Sequence, residues 1–406
     1  MKNGFKIIDM DTHVGPRNNT LYEYMDSATR TRVEEALAPY VRDPIGPTQD
    51  RPDGTVTSGK GARFPTVALT RFPGTPLLPE HREPGMDGSV TFIKEVGESG
   101  LQGHHRKAVA KGVEQDNSAG RLQDMDEEGR DVDFLFGNTN QGVMTTGDPT
   151  ISEAFYKAYH RFIKDYTAVD PDRLKSHALV PADDVEWAVE ELKSLAGEKW
   201  LSAVRLMIPE EMAVDDPSME PLWATMNDLD LPLIHHSSFS TYPWFPGYRD
   251  IWGNAAVART AAHPWGAARL MSYLIVGGIF DRYPNLRAAT AECGQAWLPH
   301  WVIRLGEMIF YVSGVTPKLD YKPIEYVQMG RFRCCAEPFE GPELTKHCFD
   351  FLGDKALMHQ SDYPHAESHF PDTASMVMDW PIWKDLGDDF LRKHMAGNAE
   401  DYLRLI

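Results

Sequence analysis

Eight short apolar runs, each followed by a stretch with helical spacing, constrain this chain more than any other feature. The runs are "FKIIDMDTHV", "DFLFGN", "SHALVP", "LSAVRLMIP", "LPLIHH", "NLRAATAE", "GRFRCCAE" and "ALMHQSD". They are apolar enough for strands covered on both faces, which is the habit of parallel sheets wound with helices. Helices are expected over about 152–169, 183–196, 218–229, 261–281, 296–312 and 342–352. Eight strand–helix units close naturally into an α/β fold of the (β/α)₈ TIM-barrel kind. An open doubly wound sheet would announce itself with a Gly-rich first turn, and neither GxGxxG nor GxxxxGK[ST] occurs. Residues 41–119, rich in Pro, Gly and charge and without a sustained period, read as an irregular insertion after strand 1.

The 406 residues are expected to form one domain over 1–406 with that excursion inside it, as a lid or an oligomer arm. A formal charge of −19 excludes a surface for nucleic acid or acidic membrane, leaving a small-molecule substrate as the expected partner. The sequence shows no secretory leader pattern and no run of the roughly 18 apolar residues that spans a bilayer, so a cytoplasmic location is expected. Cys293, Cys334, Cys335 and Cys348 form no CxxC pair and read as buried thiols.

In a barrel of this kind the chemistry collects at the C-terminal ends of the strands. Strand 1 ends in Asp11-Thr12-His13, whose alternation turns both chemically able side chains to one side. Strand 5 ends in His235-His236, strand 6 in Glu292 and strand 8 in Asp362. Imidazole and carboxylate together suit Zn²⁺, Mn²⁺ or Fe²⁺. Asp11, His13, one strand-5 histidine and Asp362 would supply such a set. Singly, a DxH triplet is most often a cap or a turn and a strand-end histidine a hydrogen-bonded core residue. The convergence on four strand ends carries the metal reading.

The landmarks "IDMDTHVGP", "RLQDMDEEGRDV", "LPLIHHSS", "GIFDRYPNLRAATAECGQAWLPHWVIRL", "SDYPHAESHFPD" and "GNAEDYLRL" resemble the amidohydrolase superfamily. The likeness is to its amidohydrolase-related branch, which includes aminocarboxymuconate-semialdehyde and γ-resorcylate decarboxylases. The resemblance implies a distorted (β/α)₈ barrel with a divalent metal ion held by Asp11, His13, His236 and Asp362. The family's Pro-x-x-x-His spacing selects His236 over His235. Two departures stand out: Glu292 occupies the strand-6 end where the decarboxylases carry histidine, and strand 4 offers Arg205 but no lysine to bridge two metals. One ion is therefore expected and a second remains open, with Glu292, His263, His365, His369 and the pair His104-His105 as spare ligands.

The resulting expectation is a metal-dependent hydrolase acting on a small carboxylated or amide-like substrate through a metal-activated water. Glu292 or Asp362 would move the proton and Arg205 would fork onto a substrate carboxylate. A nonoxidative decarboxylase, a binuclear Fe or Mn/Fe oxygenase and a non-catalytic subunit are the alternatives. The aromatic loop with Tyr242, Trp244, Phe245, Tyr248 and Trp252 is expected to wall the pocket or to meet another subunit of a homo- or hetero-oligomer.

Overall fold

In the computed structural model the described residues are 2–16, 18–37, 55–57, 91–93, 110–113, 117–137, 147–209, 212–236, 255–365 and 368–405. The aromatic loop, His104-His105 and most of 41–119 lie outside them. Eight parallel strands form one sheet in chain order: β1 (Ile8–Val14), β2 (Val132–Gly137), β3 (Leu174–Pro181), β4 (Leu201–Met207), β5 (Leu233–His236), β6 (Ala288–Ala291), β7 (Phe332–Ala336) and β8 (Leu357–His359). Helices between them complete the (β/α)₈ barrel. The principal ones are α1 (Ser118–Glu128), α2 (Pro149–Thr167), α3 (Val185–Leu195), α4 (Glu220–Asp228), α5 (Ala255–Val276), α6 (Trp297–Tyr311), α7 (Gly341–Leu352) and the C-terminal α8 (Asn398–Leu403). Inside 41–119, Thr55–Thr57 and Thr91–Ile93 pair as a short antiparallel ladder.

Local chemistry sets the helix boundaries. Asp148 caps α2 by accepting from the Thr150 N–H, with Pro149 at the first helical position, where its missing N–H costs nothing. Asn117 caps α1, and Gly129, at φ 89°, ends it with its N–H on the Met125 carbonyl. The sequence reading misses two N-terminal helices, Asn18–Tyr22 and Ser27–Leu37. In the second, Val33 is the one residue classed as buried among Ser27–Ala36, so no apolar period marks it; Asp26 starts it by accepting from the Ala28 and Thr29 N–H groups.

Ile8, Met10, Phe134, Ala203, Ile234 and Met358 fill the barrel interior, and Ala399, Tyr402 and Leu403 of α8 close its lower end. Larger apolar clusters bond the strands to the surrounding helices. Where β8 returns to β1 the barrel is stitched just beyond β8: Asp362 N donates to Asp11 O at 3.0 Å and His13 N to Tyr363 O at 2.6 Å. The closing seam therefore carries three of the candidate site residues. Among the described residues no helix is long and apolar enough to cross a membrane.

Candidate metal centre

Simple alternation along β1 would not put Asp11 in the barrel. Ile8 and Met10 face the apolar interior, so a regular strand would turn Asp11 and His13 outwards. The register against β2 instead slips between Asp9 and Thr12: Asp9 pairs with Asp133 and Thr12 with Leu135, so two residues of β1 oppose one of β2. This bulge brings Asp11 and His13 to the inner side and leaves Asp9 facing out. Two further site residues sit in left-handed backbone, Glu292 at φ 52° and Asp362 at φ 59°. Neither is glycine, and such positions usually cost of order 1 kcal/mol or more and concentrate at functional sites.

The side chains converge in two overlapping groups, Asp11–His13–His236 and His13–Glu292–Asp362–His365; within each, one nitrogen or oxygen per residue lies within 4.8 Å of the others. That is about twice a metal–nitrogen or metal–oxygen bond of roughly 2.0–2.2 Å. His13 Nε2 stands 2.8 Å from Asp362 Oδ1, 3.3 Å from Asp11 Oδ1 and 3.3 Å from His236 Nε2. His236 Nε2 lies 3.1 Å from Glu292 Oε2. His365 stacks on the His13 ring at 4.0 Å and places Nδ1 2.8 Å from Asp362 Oδ1. Both oxygens of Asp11 and Oδ1 of Asp362 are buried without a hydrogen bond even so. Buried carboxylate oxygens facing two imidazole nitrogens are the donor set that a divalent ion satisfies, so the residues fit the metal.

Burial opposes ionisation of Asp362, but His365 and His13 outweigh it and hold its carboxyl far below the usual range. Asp11 is lowered likewise, burial being overcome by His236 and His13. Burial would also discharge His13, yet Asp11 and Asp362 raise its pKa well above the ordinary imidazole value. His236 goes the other way, to about 4, because burial exceeds the pull of Asp11. Glu337, just past β7, is driven well above the carboxylate range by burial and by repulsion from Asp362, Asp11 and Glu292. It adds a further buried acid at the site's edge. Sequence reading passes over it because a lone glutamate after an apolar run carries no spacing signal.

A second set of buried charges holds the strand ends in place. Asp9 accepts from both the N–H and the hydroxyl of Ser361, at 2.9 and 2.5 Å, tying the β8 end to β1. Arg130 binds Asp133 at 2.8 Å and reaches Asp9 at 3.4 Å. Arg121 binds Asp133 and donates to the His13 carbonyl. Sequence reading misses this clamp, for which the only sign is the first of the two acids in "DMDTH".

Asp11, His13, His236, Glu292 and Asp362 are thus brought together. Glu292 does not pair with Arg287, which binds Asp230 instead. Arg205 is buried at the rim, its Nη2 donating to the His236 carbonyl at 3.2 Å. His235, His263 and His369 stand in neither group of potential ligands, whereas His365 stands in one.

Comparison with known proteins identifies the family. The Amidohydro_2 family, described as amidohydrolase, matches residues 103–405. The chain belongs to this amidohydrolase family. It is 24% identical over 305 residues to a γ-resorcylate decarboxylase of Polaromonas sp. (strain JS666 / ATCC BAA-500), covering 70% of this chain and 86% of the relative. A second γ-resorcylate decarboxylase, from Rhodococcus jostii (strain RHA1), is 27% identical over 232 residues, 51% of this chain and 66% of the relative. Among solved structures, 5-carboxyvanillate decarboxylase of Novosphingobium aromaticivorans, in complex with manganese and 4-hydroxy-3-methoxy-5-nitrobenzoic acid, aligns with a TM-score of 0.64 at 17% identity, over 99% of this chain and 97% of that one. A dihydroxybenzoic acid decarboxylase of Polaromonas sp. JS666, with bound manganese and 2-nitroresorcinol, aligns with a TM-score of 0.60 at 16% identity over 99% and 97%. At these identities the structural likeness concerns the fold. These amidohydrolase relatives are enzymes, and manganese is present in both aligned structures.

Proposed function

We propose that this amidohydrolase is a metal-dependent decarboxylase of a small carboxylated molecule, with Asp11, His13, His236 and Asp362 holding one divalent ion. The observation that carries the reading is the set of buried, hydrogen-bond-free oxygens on Asp11 and Asp362 turned towards His13 and His236. The names of the sequence relatives and the aligned structures support decarboxylation over the hydrolysis that the sequence alone ranks first. A divalent ion at this position supplies an electrophile that polarises a substrate oxygen.

The chain's own residues supply the rest. Loss of carbon dioxide converts R–COO⁻ and a proton into R–H and CO₂: the carbon gains a proton, and the electrons of the breaking C–C bond stay with R. Asp362 is committed to the ion in this reading and is already engaged by His13 and His365. Glu292, on the same cluster and at the barrel mouth, takes the role of general acid. Where the decarboxylases resembled by the sequence carry histidine at the strand-6 end, this chain would deliver the proton from a carboxyl group.

A two-ion oxygenase is the second reading, and one observation favours it. Six potential ligands form two groups that share His13, and His365 extends the second beyond what one ion needs. Metal analysis by plasma mass spectrometry on protein purified without added metal or chelator separates the readings, run beside oxygen uptake and headspace CO₂ with a panel of aromatic and aliphatic acids. About one manganese or zinc per chain with CO₂ release supports the proposal. Close to two ions including iron, with oxygen consumed, replaces it. Absence of stoichiometric metal even after reconstitution sinks it. His236→Ala and Asp11→Ala are expected to lose the metal and His235→Ala to keep it.

A further inference from the structure

Five arginines of the described chain are buried, and four of them have a carboxylate partner: Arg121 and Arg130 with Asp133, Arg287 with Asp230, Arg333 with Asp401. Arg205 is the exception. It is 4% exposed, yet among the described residues no carboxylate lies within ion-pair distance, and its side chain makes one hydrogen bond, to the His236 carbonyl. Taking a guanidinium out of water without a counter-ion is expensive, and a fold that keeps one has a use for an anion at that place.

The surroundings point the same way. The Arg205 guanidinium carbon lies 5.8 Å from the centre of the Phe136 ring, which also touches the rings of His236 at 4.5 Å and His177 at 5.3 Å. His177 on β3 is fully buried and neither ring nitrogen has a partner; the same holds for the hydroxyl of Tyr156 on α2. Burial and the nearby Arg205 charge keep the His177 imidazole neutral, with one N–H to give. Three donor groups with bonding capacity to spare thus stand on β4, β3 and α2, with the Arg205 charge acting on both Tyr156 and His177.

We propose that Arg205, Tyr156 and His177 form an anion subsite that binds a second, non-reacting carboxylate of the substrate. This rests on the reading of the metal cluster as the reaction centre. The group that departs as CO₂ must shed its negative charge, and a guanidinium fork stabilises that charge in the ground state. Arg205 therefore suits the carboxylate that stays. The substrate class is a small dicarboxylate, with one acid group at the metal and the other at Arg205.

The test is calorimetric binding to metal-loaded protein, with metal content measured on the same samples. The probes are two pairs, isophthalate against benzoate and glutarate against butyrate. The wild type should bind the dicarboxylate of at least one pair roughly 10- to 100-fold tighter than its monocarboxylate, as expected for hydrogen bonds to a charged group. Arg205→Met should erase that advantage without weakening the monocarboxylate. Tyr156→Phe, which removes one oxygen and keeps the ring, should reduce the advantage about 3- to 10-fold. No advantage in either wild-type pair, or an advantage that survives Arg205→Met, overturns the subsite. If Arg205→Met fails to fold or loses metal, Tyr156→Phe and Arg205→Lys decide: unchanged dicarboxylate affinity in both overturns it. Monocarboxylate binding that ignores removal of the metal breaks the metal reading instead, and the wild-type against variant comparison still scores the subsite.

Discussion

Strand β1 feeds two buried charge clusters, one on each side of its backbone, and they are built differently. On the outer side Asp9 joins Arg121, Arg130, Asp133 and Glu128, and both guanidiniums have a carboxylate within 3.2 Å. The Tyr363 ring lies against both guanidiniums, at 4.9 and 4.5 Å. On the inner side Asp11 joins Asp362, Glu292 and the imidazoles of His13 and His236; three carboxylate oxygens there lack hydrogen bonds, against one, Oε2 of Glu128, on the outer side, and among the described residues Asp11 and Glu292 act on Arg205 only from beyond ion-pair distance. Cations and anions matched within the fold act as cement between elements. Anions grouped together, with a cation left alone, are a fold waiting for charges from outside.

The largest effect should come from the matched side. Arg130→Met strands Asp9, Asp133 and Glu128 in the interior, and breaking one partner out of a buried pair typically costs about 3–5 kcal/mol. Chemical denaturation should show that loss equally in metal-loaded and chelator-treated protein. A cost under about 1 kcal/mol, or one that vanishes with chelator, would mean that the outer cluster is not the metal-independent cement described.

Asp11→Asn should behave in the opposite way. In the wild type, free metal at 100 to 1,000 times its dissociation constant adds about 3–4 kcal/mol of stability, which chelation removes. The variant should show no chelator effect, while its metal-free stability stays within about 1 kcal/mol of metal-free wild type. A variant equally destabilised with and without chelator would place Asp11 with the cement.

The division between the clusters was only partly legible in the sequence. Asp11, His13, Asp362 and one of the strand-5 histidines could be named because residue type at a strand end is a local signal, the choice of His236 coming from the family resemblance, and the eight-fold alternation was legible because apolar runs follow burial on both sheet faces. That Asp9 and Asp11 part company was not legible, since it depends on a bulge whose register is set against β2, more than a hundred residues away. The isolation of Arg205 was equally hidden. An arginine in "SAVRLM" looks the same with or without a counter-ion, and Tyr156 and His177 reach its neighbourhood only through the packing of α2 and β3.

The smallest expected effect lies outside both clusters and marks the baseline for unmatched charge near water. Burial, then the hydrogen bond and charge of Asp184, push the Glu153 carboxyl from 4.5 up to about 7. The folded chain therefore keeps this proton up to about pH 7, while the unfolded chain releases it near 4.5. Between those values the folded state binds more protons, so this group's contribution to stability falls as pH rises and levels off above about 7. Glu153→Gln keeps a neutral hydrogen-bonding group at every pH and should flatten that part of the profile. Because the side chain is only partly buried and solvent screens it, the gain at pH 8 should be no more than about 0.5 kcal/mol, with none at pH 4. Denaturation midpoints at the two pH values measure it. A gain that is equal at both would show that the Glu153 carboxyl is not raised in the folded chain, and that unmatched charge in this molecule matters only where it is buried beside β1 and Arg205.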